Sequence, residues 1–369
     1  MTGRRGHGEG SVYFDQRREL WVGRMPRDEQ GHRPVVYGTS RREVQKKLRD
    51  LLHGRERGLP VFDQRTRLGD YLDWWLAEVV AYEVSPKTAQ SYEQHVRLHI
   101  KPALAQVPLA TLDPKRVREV FNAKLREGLA PASVTRIRAV LQRALNDAVR
   151  DGYVARNVVT LVKRPKAVHR DPVVFTEDEL GRVLKAAQDD ALYLAILLAA
   201  RTGMRMGEVL GLRWVDVDLE IGVLAVRQAL QYVAGEGLQM GEPKSAMSRR
   251  TIPLAPQLVE ELRGRRAEEA EDRRPDGLVF TTATGAPVYP GNLTRSWKRV
   301  LGRAGVEPRG FHTLRRTYAT LLASRGVHPK AAQALLGHSS PVLTLAVYTA
   351  ASSDMLRDAA ATLEDAFDS

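Results

Sequence analysis

Apolar and polar positions alternate with different periods along the chain, and the period changes mark its elements. Residues 10–38 carry short β-branched and aromatic runs split by Gly, Asp and Pro, which predicts a small meander of two or three strands. Ser40 and Glu43 then form a capping box ahead of REVQKKLRDLL, a helix expected to end near Gly54 and Gly58 in a charged linker. From 66 to 155 the period is helical: LGDYLDWWLAEVV is one amphipathic helix, Ser85-Pro86 opens a second, and Asp113-Pro114 a third that stops near Gly128. Pro131 starts a fourth, which runs to Gly152. Residues 156–172, with two prolines and a basic run, lack periodicity and read as an interdomain linker. Beyond it, Thr176 and Glu179 cap a further helix, ALYLAILLAA (191–200) fits a buried one, and 216–254 alternates β-rich runs with Gly-rich turns. A three-stranded antiparallel sheet is expected there, with helices from it to the end.

The pattern gives a multidomain chain, mainly α with small antiparallel sheets (α+β). The boundaries it suggests are 1–62 for a small sheet-plus-helix unit, 66–155 for a helical bundle, 156–172 for the linker and 173–369 for a mostly helical domain with one sheet. At 369 residues, two to three domains are expected and a single small binding module is not. The longest apolar stretch is ten residues, against about 20 for a spanning helix, and MTGRRGHGEG leads into no apolar segment, so neither a membrane span nor a secretory signal is expected. With no Cys, disulfides, thiolate nucleophiles and Cys-bearing zinc sites are excluded.

Charge adds a direction. The formal net charge is +13, which favours an anionic partner. Residues 1–65 hold 15 basic against 9 acidic side chains, 66–170 hold 18 against 10, and 171–369 hold 24 against 25. The front of the chain is thus suited to a polyanion and the rear to another task. Arg136, Arg138 and Arg143 on the fourth helix, with Lys163 and Arg164 in the linker, are the candidate phosphate contacts; a solvated helix face is the other reading of such charge.

Four segments of the rear domain hold residue types suited to a phosphodiester: TGMRMGEVLGLRW (202–214), EPKSAMSRRTIPL (242–254), FHTLRRTYAT (311–320) and LLGHSSPVLTLAVYT (335–349). Arg205 follows a Thr-Gly break at a helix start, where guanidinium and free N–H groups both face an anion, and Glu208 lies three residues on, placed to orient it. A surface salt bridge has the same spacing. Lys244 falls between two expected strands, at a hairpin tip from which a long side chain reaches outward. His312 and Arg315, at i and i+3, share a helix face. His338 follows a helix-closing Gly337, and Ser340-Pro341 opens a helix carrying Tyr348, a residue type that becomes a nucleophile only where cations or hydrogen bonds stabilise the phenolate.

In this order, the four segments resemble the tyrosine recombinase (phage integrase) family over nearly the whole chain. The resemblance puts the family's first catalytic arginine at Arg205, its hairpin lysine at Lys244, its H-x-x-R pair at His312 and Arg315, its His/Trp position at His338 and its nucleophile at Tyr348, with Glu208 in support. Thr313 and Arg316 stand where the family often has Asp and His, and Met206 is a variant; none is a catalytic position. The resemblance implies site-specific cutting and rejoining of DNA through a 3′-phosphotyrosyl linkage, integrating or excising a mobile element, with no metal or other cofactor. It further implies an N-terminal arm-binding domain and a core-binding, SAM-like bundle acting on core and arm-type sites of double-stranded DNA. A homotetramer on DNA, an excisionase, a host DNA-bending protein and a cytoplasmic, nucleoid-associated location in a bacterium complete the expectation. The tail SSDMLRDAAATLEDAF reads as an amphipathic helix that docks on a neighbour or folds back. A non-catalytic DNA-binding regulator and a DNA-relaxing enzyme of type IB topoisomerase kind remain as the other readings.

Overall fold

The computed structural model describes residues 11–16, 19–24, 35–56, 66–166, 173–242, 246–268, 277–337, 340 and 345. They fall in two compact units, residues 1–169 and 170–369.

The first unit opens with an antiparallel meander of β1 (Ser11–Asp15), β2 (Leu20–Arg24) and β3 (Val35–Gly38). β1 and β2 pair from Ser11 opposite Arg24 to Asp15 opposite Leu20, and β2 continues onto β3 with Trp21 opposite Gly38. Helix α1 (Arg41–Glu56) buries Val44 and Leu48 against Val36, a core flanked by Val12 and Trp21. Its cap uses both expected residues: the Glu43 N–H donates to the Ser40 hydroxyl (3.2 Å), while the Glu43 carboxylate accepts from the Thr39 N–H (3.0 Å). The helix runs through Gly54 and ends at Glu56, between the two glycines expected to close it.

Four helices follow. The first two, α2 (residues 68–83) and α3 (residues 86–104), each widen into a π-helical turn midway, at Leu76–Val80 and Val96–Ile100. Helix α4 (Pro114–Arg126) begins where the Asp113 carboxylate accepts from the N–H groups of Lys115 (2.8 Å) and Arg116 (3.0 Å). Helix α5 (Pro131–Arg150) is the centre of the bundle, burying Val134, Ile137, Leu141, Ala144, Leu145 and Ala148. Two polar bonds fix how α2 lies on it: the Trp75 indole donates to Asp147 (2.9 Å) and the Tyr71 hydroxyl to the Ala144 carbonyl (2.8 Å).

The expected linker starts later than residue 156. Asn157 caps a 3₁₀ turn, Val158–Leu161, and Val158, Val159 and Val162 are buried in the bundle core. The apolar spacing V-V-x-x-V was hidden by the basic and proline residues that follow it.

The second unit packs helices about a sheet. Helix α6 (Glu177–Ala187) carries the capping box expected of Thr176 and Glu179, with both bonds formed at 3.1 and 3.0 Å. Helix α7 (Tyr193–Thr202) is the all-apolar segment; Ala195–Ala200 are all buried, as a helix apolar on every side requires. A short helix α8 (Met206–Leu210) leads to β4 (Val217–Asp218), β5 (Val223–Val226), β6 (Ala229–Val233), β7 (Gly237–Gly241) and β8 (Arg250–Pro253). Helices α9 (Pro256–Ala267), α10 (Pro290–Ala304), α11 (His312–Ser324) and α12 (Pro329–Leu336) follow. Trp297 on α10 stands edge-on to Phe175 and Phe311, anchoring α10 beneath the start of α11.

The β region departs from expectation. The three-stranded antiparallel sheet exists, in the order β4-β5-β8, but β6 and β7 form a hairpin of their own inserted between β5 and β8. Gly235 and Gly237, both at positive φ (88° and 83°), turn β6 back on β7.

Candidate active site

Helix α7 ends at Gly203 in a left-handed conformation (φ 64°), where any side chain is strained and a Cβ would come within 2.5 Å of the Tyr318 ring on α11. The chain therefore turns tightly against α11 and reaches Arg205, which stands just ahead of α8. Glu208, in the first turn of α8, grips Arg205 twice: its carboxylate accepts from the Arg205 backbone N–H (2.9 Å) and from the guanidinium (2.6 Å). The pair is not an ordinary surface bridge, since Glu208 is 3% exposed while Arg205 keeps 38% of its side chain open. A buried carboxylate holds a cation whose other donors remain presentable to an anion.

Arg315 occupies the opposite kind of position. It is 3% exposed, and its guanidinium donates to the Gly203 carbonyl at the end of α7 (2.8 Å) and to the Leu336 carbonyl at the end of α12. Both acceptors lie among the carbonyls that a helix C-terminus leaves unpaired, so one cation ties two helix ends to α11. Burial together with the neighbouring Arg205 charge pushes the Arg315 guanidinium down, to about 9, which leaves it charged at neutral pH.

His312 lies one turn before Arg315 on α11. Burial, then the charges of Arg315, Arg316 and Arg205, hold its imidazole below the usual histidine range, so it is neutral at pH 7. For Glu208, burial favours the neutral acid, but the hydrogen bond and charge of Arg250, with those of Arg205, outweigh it and hold the carboxyl below the usual range. The structure thus brings Arg205, Glu208, His312 and Arg315 into one cluster of net positive charge.

Arg250, at the head of β8, belongs to this cluster and was not singled out from the sequence. It is paired with Glu208 at 2.9 Å with both side chains almost sealed from solvent, at 5% and 3% exposure. The available signal was strand alternation: Arg250 and Ile252 share a face, and Ile252 is core.

Lys244, His338 and Tyr348 lie outside the described residues. The strands on either side of Lys244 in the sequence, β7 and β8, belong to different sheets. Gly337, immediately before His338, is left-handed (φ 63°) and closes α12 as the sequence predicts.

The candidate phosphate contacts divide. Arg136, Lys163 and Arg164 are exposed. Arg138 is 6% exposed and donates to the carbonyls of Val162 (3.2 Å) and Val159 (3.0 Å) and to Gln142 (2.6 Å), so it pins the segment after α5 and is not free to reach a phosphate. Arg143 is likewise engaged, with Glu83 (2.8 Å) and over the Tyr92 ring.

Comparison with known proteins agrees with this geometry. The phage integrase family profile matches residues 173–355, and that of the phage integrase N-terminal SAM-like domain matches residues 67–125. A tyrosine recombinase XerC-like protein of Caldanaerobacter subterraneus subsp. tengcongensis is 32% identical, covering 92% of this chain and 94% of the relative. An integrase of Streptomyces ambofaciens is 28% identical, covering 94% of each. Among solved structures, the Tn1549 transposon integrase in complex with a circular intermediate DNA superposes with a TM-score of 0.71 at 22% identity, covering 81% of this chain and 99% of that one. A lambda integrase tetramer bound to a Holliday junction gives 0.60 at 22% identity, covering 93% and 96%.

Proposed function

The chain belongs to the phage integrase family of tyrosine recombinases and is a site-specific DNA recombinase; on that premise we propose how its residues divide the work. The Tyr348 hydroxyl attacks a scissile phosphate in line; the new bond is 3′-phosphotyrosyl, the P–O5′ bond breaks, and the leaving 5′-oxygen takes a proton from Lys244. A 5′-hydroxyl of the partner duplex reverses the step, and no net energy input is needed because the phosphodiester energy stays in the protein linkage. Arg205 and Arg315 hold the two non-bridging oxygens, Arg315 through N–H donors that its two carbonyl bonds do not use, His312 assists proton transfer at the tyrosine, and His338 donates a hydrogen bond to the phosphate. Glu208 orients Arg205.

The observation that carries this reading is the pairing of an open Arg205, locked by a buried carboxylate, with a buried Arg315 bolted to two helix ends. Cations fixed before the reaction stabilise charge that grows in the transition state without reorganising to do so. Residues 1–62 act as the arm-type DNA-binding domain, 66–155 with the packed segment to Val162 as the core-binding domain and 173–369 as the catalytic domain, working as a homotetramer on two duplexes. An excisionase and a host DNA-bending protein are the accessory partners, and the site of action is the bacterial cytoplasm, at the nucleoid.

The test is single-turnover cleavage of a nicked core-site duplex by Arg205→Gln. Loss of one fixed cation should slow cleavage by about 100- to 1,000-fold while duplex affinity stays within about threefold. An equal fall in affinity with an unchanged cleavage rate would assign Arg205 to DNA binding instead.

A further inference from the structure

Arg250 joins three parts of the second unit that the cleavage step needs in register. Its Nη2 donates to Glu208 on α8 (2.9 Å), its Nε to the Leu335 carbonyl at the end of α12 (2.6 Å), and its Nη1 to the Ser248 carbonyl in the segment that follows Lys244 (3.1 Å). Its stem lies directly beneath Gly337: a Cβ on that glycine would come within 2.9 Å of both the Arg250 Cδ and the Met247 carbonyl. The turn that leads to His338 is therefore closed onto Arg250, and only a glycine leaves room for it.

We propose that Arg250 is a positioning residue for phosphoryl transfer, setting the Glu208 carboxylate on Arg205 while tying the backbone at Ser248, four residues after Lys244 in the sequence, to the end of α12. The proposal rests on the assignment of Arg205, Lys244 and His338 to the reaction. Its physical basis is the shape of the guanidinium. Three donors pointing in different directions in one plane satisfy three acceptors from three segments, which an ammonium or an amide cannot do. All three of its guanidinium nitrogens donate to acceptors of the protein itself, so Arg250 acts through its neighbours.

The role has a signature that a bolt in the fold would lack. Glu208 is faced by Arg205 from α8, Arg250 from β8, and His312 and Arg315 from α11. Arg250 is the buried one of the two cations paired with Glu208, and in Arg250→Met only the half-open Arg205 is left to offset the burial that favours the neutral acid. Glu208 then takes up a proton nearer neutrality, releases Arg205, and cleavage becomes faster as pH rises and the carboxylate reforms.

The experiment measures single-turnover adduct formation on a nicked core-site duplex between pH 5.5 and 9, with duplex affinity and cooperative unfolding followed in parallel. The proteins are the wild type, Tyr348→Phe, Arg250→Met, Arg250→Lys, Glu208→Gln and the Arg250→Met/Glu208→Gln pair. Arg250→Met should bind the duplex normally, cleave about 100-fold more slowly at pH 7, and regain rate towards pH 9. Arg250→Lys should fall between it and the wild type, and Glu208→Gln should abolish the added pH step without a further loss of rate. Wild-type cleavage by Arg250→Met overturns the proposal. So does a loss of cleavage that tracks loss of folding or duplex binding in both Arg250 variants, or a pH step that survives Glu208→Gln. A wild type that forms no adduct on a bound duplex overturns the parent assignment, a result distinguishable from failure of the Arg250 variants alone.

Discussion

At the scale of single residues, the electrostatics of the site lie in how each charge is held. His312 is kept neutral by burial and by Arg315, Arg316 and Arg205, so its folded pKa lies below the unfolded value near 6.5. Between those two values the unfolded chain binds a proton that the native one does not. Stability is therefore full above about 6.5 and falls as pH drops through that window, and His312→Asn should flatten this part of a urea-unfolding series against pH. Arg138 makes a different prediction. Arg138→Met leaves the Val159 and Val162 carbonyls without their buried donor and should cost about 1–3 kcal/mol, with the salt dependence of DNA binding unchanged. Its true place was legible: Val134, Arg138, Leu141 and Leu145 recur at helical spacing, which sets Arg138 on the buried stripe and Arg136 off it. Charge type outweighed position in that reading. Arg205, Glu208, His312 and Arg315 were legible because each sits in a short motif whose spacing is local. Arg250 was not, because its partners come from residues 42 and 85 positions away.

At the scale of elements, chain breaks and caps were read well and strand partnership was not. The capping residues at Ser40, Thr176 and Asp113, and the glycine closing α12, act within a few residues of themselves. Strand partnership depends on packing at long range, and α8 lies so close on β6 that a Cβ on Gly207 would be 2.6 Å from the Leu230 carbonyl. The π-helical turns in α2 and α3 likewise leave no mark in a 3.6-residue pattern. The junction of α7 with α11 gives the sharpest test of this level. Gly203→Ala must carry a side chain at φ 64° into the Tyr318 ring, and should lower the stability of the full chain by about 2–4 kcal/mol in urea unfolding. A loss below about 1 kcal/mol would mean that α11 yields easily and is no rigid platform for Arg315.

At the scale of the whole molecule, charge and chemistry are separated along the chain: the basic excess lies in the first 170 residues and the cation cluster of the site in the near-neutral remainder. Affinity should then be set by the front and rate by the rear. Neutralising the exposed Arg136, Lys163 and Arg164 together is expected to shift the slope of log affinity against log salt by about 2.7, since each phosphate contact contributes about 0.9, and to leave the cleavage rate of bound duplex within about threefold. An unchanged slope would place the phosphate contacts elsewhere. The central claim is covalent, and the most direct measurement is a denaturant-resistant protein–DNA adduct on a nicked core-site duplex, with wild type and Tyr348→Phe compared in the presence of EDTA. The account predicts that the wild type yields the adduct and Tyr348→Phe, binding the same duplex equally well, yields none; an adduct of equal yield from Tyr348→Phe, or none from wild type on a bound site, would contradict it.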